Sequence, residues 1–468
     1  MSDDLAFLGI RELGARYRSG KVSPVEVVEA LLGRIDRCEP QLNAWITVLR
    51  EEALTEARRM EGDFRSGWDL GPLHGIPVAL KDNIETAGIR TTCASRILAK
   101  NVPRKDATVV RKLRQAGAIL LGKNNLLEFA YGIVHPDYGQ CNNPWDPART
   151  AGGSTSGGAA AVAAGQVYAA VGTDTGGSIR IPASYCGLVG MKPTYGLVSR
   201  HGVFPLSWSL DHVGPLARTV EDAAIVLSII AGGDPADPTT IDGVALHPEG
   251  DDVGLKGLRV GLMQHTGGDL RPGVRRRFEE AVELFKKEGA AVSDVAIPTL
   301  PYCDQLLLPL IAPEATSIHE PWLRTRAEDY APMTRTQLEL GAVLPAVEFV
   351  RAQRVRRKLI AELEEVFKEV DILLNPTVAW VAPKEDPAVA GEEGVVEARR
   401  TSPHNITGIP AVTVPMGFAE DDLPAGLQIA GPWRADGLVL QVARAYERLG
   451  GWTVREPRGI SGPPAPET

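Results

Sequence analysis

The stretch "AGGSTSGGAAAVAAGQVYAAVGTDTGGSIRIPAS", from Ala151 to Ser184, concentrates glycines, small residues and four serines, and holds no histidine. Residues of these types can cradle phosphate, build tight turns, or carry a nucleophilic serine. A phosphate loop of the G-x-x-x-x-G-K-[ST] kind needs a Gly-Lys-Ser/Thr run, which the stretch lacks. A dinucleotide fingerprint needs G-x-G-x-x-G, and adjacent glycines stand here instead. Two Gly-Ser clusters flank a small-residue helix and the strand-like "QVYAAVG". The second, "GTDTGGSIR", places consecutive backbone N–H groups just before and at Ser178. Such donors can surround a developing oxyanion where small residues let the backbone turn sharply.

A serine nucleophile needs a base. No G-x-S-x-G elbow is present, and none of the eight histidines has a local setting that marks it as one, although sequence distance does not exclude a histidine. A lysine can serve if burial lowers its pKa, because a low dielectric disfavours its charge. Lys81 follows the apolar run "IPVAL", which could deliver it into such a place or leave it at the surface.

The elements that must position these groups are legible in outline. Ser23, Pro24 and Glu26 spell the capping-box start of a helix, with Val27, Leu31 and Ile35 as its apolar stripe. Ile76–Leu80 reads as a buried strand. "DATVVRKLRQAGAILLG" reads as helix, Gly turn and strand, and "GLRVGLM", "VDILLNPTV" and "AVTVPMGF" as later strands. The alternation predicts an α/β fold with a largely parallel sheet covered on both faces. No linker interrupts the first 240 or so residues, and about 240–255 reads as a surface loop. One domain is expected over 1–455, with a motif-rich core at about 70–230, a variable pocket-shaping region at about 240–370, and a flexible Pro/Gly-rich tail at 456–468.

Bulk properties narrow the function. The net charge of -9 argues against a general binder of nucleic acid or anionic membrane. Five scattered cysteines, none in C-x-x-C, fit a reducing compartment better than a disulfide framework or zinc site. Cys141 and Cys186 read as small buried hydrophobes. "MSDDLAFLGI" lacks a signal-peptide pattern and no apolar run is long enough for a membrane span, so a cytoplasmic location is expected.

Taken together, "HGIPVALKDN", "AGGSTSGGAAAVAAG" and "GTDTGGSIRIPASYCGLVGMKPTYG" resemble the amidase signature family of serine hydrolases. "SLDHVGPLARTVEDAA", "DILLNPTVAWVAP", "NITGIPAVTVPMGF" and "GLQIAGP" extend the resemblance over nearly the whole chain, thinning between about 240 and 360. The resemblance implies an α/β/α sandwich around a central mixed, twisted sheet. It implies a Ser–Ser–Lys triad with Ser178 as nucleophile, Ser154 on a cis peptide as bridge, and Lys81 as base. Thr175, Gly176, Gly177 and Ser178 would supply the oxyanion N–H groups. The family usually reads G-G-S-S-G-G-S where this chain has "GGSTSGG", which makes Ser156 an alternative bridge; Ser154 keeps the family interval of 24 residues to Ser178. Tyr131 and Gly132 in "EFAYG" match a stretch that borders the substrate pocket in relatives, and Trp208 is a candidate wall of the acyl pocket. Asp174 and Arg180 read as braces of the nucleophile turn.

The implied activity is hydrolysis of small amides, carbamates and esters included, without metal or organic cofactor. The expected partner is a small-molecule amide or carbamate, with no nucleic acid and no membrane, and with a homodimer as an allowed assembly. The alternative is a glutaminase subunit of a tRNA-dependent amidotransferase complex.

Overall fold

A computed structural model of the chain describes residues 5–246, 254–263, 269–387, 392–450, 456–457 and 460. The expected tail at 456–468 falls almost wholly outside these residues.

Eleven strands form one sheet: β1 (Trp45–Val48), β2 (Pro77–Lys81), β3 (Ile119–Asn124), β4 (Ala169–Asp174), β5 (Val189–Lys192), β6 (His212–Ala217), β7 (Arg259–Met263), β8 (Ala291–Val295), β9 (Ile372–Pro376), β10 (Ala411–Phe418) and β11 (Pro424–Ala430). Their spatial order is β1-β3-β2-β4-β6-β5-β10-β11-β9-β7-β8. The strands in the middle of that order, among them β2, β4, β6 and β11, are buried along their whole length. Both faces of the sheet are therefore covered, as in the three-layer α/β arrangement the family resemblance implies.

The sheet is mixed and not largely parallel, which corrects the reading from βα alternation. β2 runs parallel to β3 and β4, and β7 to β8 and β9. The remaining six neighbour pairs are antiparallel. The reason lies in the connections. A parallel pair needs a long crossover, which the helix Thr108–Gln115 supplies between β2 and β3. β10 and β11 are joined by a short turn at 419–423 and can only fold back as a hairpin.

Six helices matter for the site. α1 (Pro24–Leu42) starts at the expected capping box: Ser23 Oγ accepts from Glu26 N, and the Glu26 carboxylate accepts from Ser23 N. α2 (Ser156–Ala163) follows the first Gly-Ser cluster, and α3 (Arg180–Cys186) the second. α4 (Cys303–Arg326) is long and carries part of a separate apolar core. α5 (Glu392–Ala398) and α6 (Ser402–Thr407) precede β10.

Beyond its opening serine, α2 is a helix of glycine, alanine and one valine, without an amphipathic pattern, and every residue in it is buried. Small side chains let it press against its neighbours. A Cβ at Gly157 would strike the backbone of Asn125 at 2.6 Å, so only glycine fits. This close approach brings the first serine cluster down onto the sheet.

Candidate active site

β2 and β4 are adjacent and parallel, with Leu80 opposite Val171. Their carboxyl ends therefore emerge side by side, in the position where open α/β sheets build their sites. Lys81 is the last residue of β2 and is completely buried. Its Nζ lies 2.8 Å from Ser154 Oγ and 2.8 Å from Thr173 Oγ1, with Thr173 O at 3.5 Å. Burial lowers the Lys81 pKa to about 7, although the charges of Asp174 and Asp211 oppose the shift. At neutral pH a large share of this amine is uncharged.

Ser154 follows the cis peptide Gly153–Ser154. Ser156 opens α2, and its hydroxyl faces Asn125 O at 3.5 Å; the serine that meets Lys81 is Ser154. The two Gly-Ser clusters are joined by their backbones, since Thr155 N donates to Ser178 O at 3.1 Å. Ser178 itself stays half-buried.

The turn from β4 into α3 is heavily braced. Asp174 accepts from Arg180 Nε at 3.0 Å and Nη2 at 2.9 Å, from Ile179 N at 3.1 Å, and from Asn405 Nδ2 at 2.8 Å. Burial alone would raise the Asp174 pKa, but the Arg180 guanidinium and the Asn405 amide outweigh it and hold the carboxyl well below the usual range. Arg180, itself fully buried, also donates to Thr401 O, Gln428 Oε1 and Asn405 Oδ1 at 2.9, 2.7 and 2.6 Å. All its strong contacts are internal, so it braces the turn. Gly177 has a φ of +146°, and a Cβ there would run into Thr401 Oγ1 and Ile181 Cδ1.

A cavity of about 60 Å³ opens beside these residues. Its floor is Ser154, Thr175, Gly176, Gly177 and Ser178. Its wall is apolar: Leu127, Ile181 and Leu206, with Leu307 and Ile311 from α4. Tyr131 and Gly132 line it as well. Tyr131 is 2% exposed, its hydroxyl has no partner among the described residues, and burial pushes its pKa up. Trp208 does not wall this cavity. Its side chain is 59% exposed, and Leu206, two residues earlier, takes the expected place. Asp386 and Glu397 also line the cavity, and burial raises their carboxyls to about 6 and about 8. Glu397 is held by the Tyr185 hydroxyl at 2.6 Å.

Sequence reasoning missed Thr173, which shares Lys81 with Ser154, and the supports Asp211, Thr401, Asn405 and Gln428. The last three lie more than 200 residues beyond Ser178 in sequence. The sequence signal for Asn405 and Gln428 is membership in the motifs "NITGIPAVTVPMGF" and "GLQIAGP"; Thr401 stands just before the first of these. Cys141 and Cys186 are buried, and burial pushes both thiols up, as expected of structural cysteines. Among the described residues no group of His, Cys, Asp and Glu is placed to hold a metal ion, and no helix is long and apolar enough to cross a membrane.

Known proteins resemble the chain over nearly its full length. A glutamyl-tRNA(Gln) amidotransferase subunit from Symbiobacterium thermophilum is 40% identical, covering 94% of this chain and 96% of its own. The structure of the corresponding Thermotoga maritima protein superposes with a TM-score of 0.79 at 37% identity, covering 95% of each chain. The peptide amidase of Stenotrophomonas maltophilia superposes with a TM-score of 0.80 at 34% identity, covering 94% of this chain and 96% of its own. The expected partner set, a small molecule without nucleic acid, is thereby overturned, because relatives of this similarity are named as one subunit of an enzyme of charged tRNA. The family model described as amidase matches residues 26–440, and with relatives of both kinds matching nearly end to end the chain belongs to the amidase signature family.

Proposed function

We propose that the chain cleaves an amide C–N bond by acyl transfer to Ser178, and that it does so as the amide-hydrolysing subunit of an amidotransferase assembly. The observation that carries the chemistry is the buried Lys81 amine, 2.8 Å from Ser154 Oγ, beside a cavity whose floor includes Ser178. Neutral Lys81 accepts the Ser154 proton as Ser154 accepts that of Ser178. Ser178 Oγ attacks the carbonyl carbon, and backbone N–H groups from Thr175 to Ser178 receive the oxyanion. The proton returns through Ser154 to the leaving nitrogen, which departs as ammonia or an amine. Water then releases the acyl group by the same relay.

The subunit role is supported by the names of the relatives, all but full-length matches. In such an assembly the amide is that of glutamine and the released ammonia passes to a partner chain. The test is to co-express the chain with candidate partner subunits of its own organism and measure glutamine hydrolysis. Glutamine turnover that appears only in a co-purifying complex is the expected result; turnover of other amides with none of glutamine, with or without partners, rejects the role.

A second reading, hydrolysis of an apolar amide, is favoured by the cavity itself. Its apolar lining is Leu127, Ile181, Leu206, Leu307 and Ile311, with the carboxyls of Asp386 and Glu397, and no Lys or Arg is among the described residues lining it. The α-carboxylate of free glutamine would find no cation there. Comparing an aryl amide with glutamine on the purified chain separates the two readings.

A further inference from the structure

The loop from Thr175 to Ser178 is held from two sides by residues that no catalytic step uses. On one side Thr175 Oγ1 donates to Asp211 Oδ1 at 2.6 Å. The same buried carboxylate accepts from Leu206 N at 2.9 Å and from Ser207 N at 3.1 Å. Asp211 thus joins the loop to the segment whose Leu206 walls the cavity. That segment is anchored in turn to α4, because Ser207 Oγ donates to Glu314 Oε2 at 2.5 Å and Ser209 N to the same oxygen at 3.2 Å. On the other side Thr401 Oγ1 donates to Gly176 O at 2.6 Å. In a trans peptide the carbonyl and the following N–H point in opposite directions. Fixing the Gly176 carbonyl therefore fixes where the Gly177 N–H points. Gly177 sits at a φ of +146°, and its own carbonyl accepts from Ile181 N at 2.7 Å.

We propose that Asp211 and Thr401 are positioning residues for the oxyanion hole, a two-sided clamp that sets the peptide planes between Thr175 and Gly177 before substrate arrives. The proposal rests on acyl transfer to Ser178. Donors aimed in advance need no reorganisation as charge develops, which is the source of their effect on rate. A loosened clamp leaves the N–H groups present and misaimed. It weakens binding of the transition state and leaves ground-state binding nearly intact.

The experiment uses the full chain with an amide that the wild type turns over. Ser178→Ala is measured first; unchanged turnover there sinks the acyl-transfer reading itself and is distinguishable from failure of the clamp. Thr401→Val and Thr175→Val each remove one hydroxyl, with Thr175→Ala in reserve should the valine variant not fold. The expected result is a fall in kcat of about 10- to 100-fold, below the roughly 10²–10³ typical for deleting a donor outright, with KM changed less than about threefold. Thr401→Ser and Thr175→Ser restore the hydroxyl and stay within about threefold of wild type. A trifluoromethyl ketone analogue of the substrate, whose adduct carries the oxyanion, loses affinity in parallel with kcat/KM. Wild-type kcat in both valine variants, equal losses in the serine and valine variants, or a loss confined to KM would each overturn the clamp.

Discussion

Lys81 and Lys123 are both completely buried on neighbouring strands, yet one is paired with a carboxylate and the other is not. Lys123 Nζ stands 3.1 Å from Asp82 Oδ1. Lys81 Nζ is set between the hydroxyls of Ser154 and Thr173. Burial lowers the pKa of each, but only Lys123 has an adjacent anion and a direct ion pair to hold its proton. The same residue type, one position apart in register, is thus suited to two tasks: a fixed ion pair and a reversible base.

Activity should follow the neutral fraction of Lys81. With its pKa lowered to about 7, kcat/KM rises through pH 7 and levels above it. Lys81→Met lowers kcat by about 10²–10⁴-fold, while Asp211→Asn, which removes one of the charges that raise the Lys81 pKa, moves the rising limb to lower pH. A pH–rate profile measures both. A limb that stays in place in Asp211→Asn would argue that another group titrates.

The same shift has a consequence for stability. Between about pH 7 and the unfolded lysine value near 10.4, the unfolded chain binds a proton at position 81 that the folded chain does not. Stability therefore rises with pH across that window and is lowest, as far as this group is concerned, below pH 7. Lys81→Met removes that slope, so its stability relative to wild type is greatest below about pH 7 and falls as pH rises across the window. Urea unfolding at several pH values reads it.

Ser178→Ala and Ser154→Ala should differ in degree. Loss of the nucleophile removes about 10⁴-fold or more of kcat. Loss of the bridge costs about 10²–10⁴-fold, in the range of a proton-transfer group. Neither should change the fold, so circular dichroism and melting temperature stay near wild type. A serine-reactive fluorophosphonate should label the wild type at residue 178 and leave Ser178→Ala unlabelled by intact mass.

Lys123→Ala leaves Asp82 buried, with the Thr92 N–H and hydroxyl as its partners among the described residues. Breaking a buried pair in this way costs about 3–5 kcal/mol. Equilibrium unfolding in denaturant is the measurement, and a loss under about 1 kcal/mol would mean that water reaches the site.

Leu307→Ala enlarges the cavity beside the nucleophile. A pocket change of this size is worth roughly 10- to 200-fold in discrimination. The ratio of kcat/KM for a bulky to a small acyl group should rise at least about tenfold. An unchanged ratio would place the acyl group elsewhere.

How far the sequence carries the structure depends on the distance over which its signals act. The capping box at Ser23 and Glu26 is a local pattern and is found as read. The strand expected at Ile76–Leu80 runs instead from Pro77 to Lys81, so the lysine ends the strand and does not follow it. The parallel reading holds for β2 with its neighbours and for β7 with β8 and β9, and fails along the run β4-β6-β5-β10-β11, where one pair, β10 and β11, is closed by a short turn. Lys81, Ser154 and Ser178 are legible because their motifs resemble a family; no spacing rule links residues 81 and 154. The exposed Trp208 shows the opposite limit, since an aromatic in a loop gives no sign of which neighbour turns inward. Thr401, Asn405 and Gln428 reach the turn after β4 only through the tertiary arrangement of the chain, which local pattern does not encode.

Lys81, Ser154 and Ser178 ride on β2, the lead-in to α2 and the turn after β4, all between residues 81 and 178, whereas Leu307 and Ile311 arrive on α4, more than a hundred residues later. Leu127, Tyr131 and Gly132 share the earlier stretch with those groups, but the α4 part of the pocket wall is carried by a separate one. Drift or deliberate exchange along that one helix can therefore reshape one side of the pocket while Lys81, Ser154 and Ser178 stay as they are, which leaves the scaffold room to descend into a lineage of many trades.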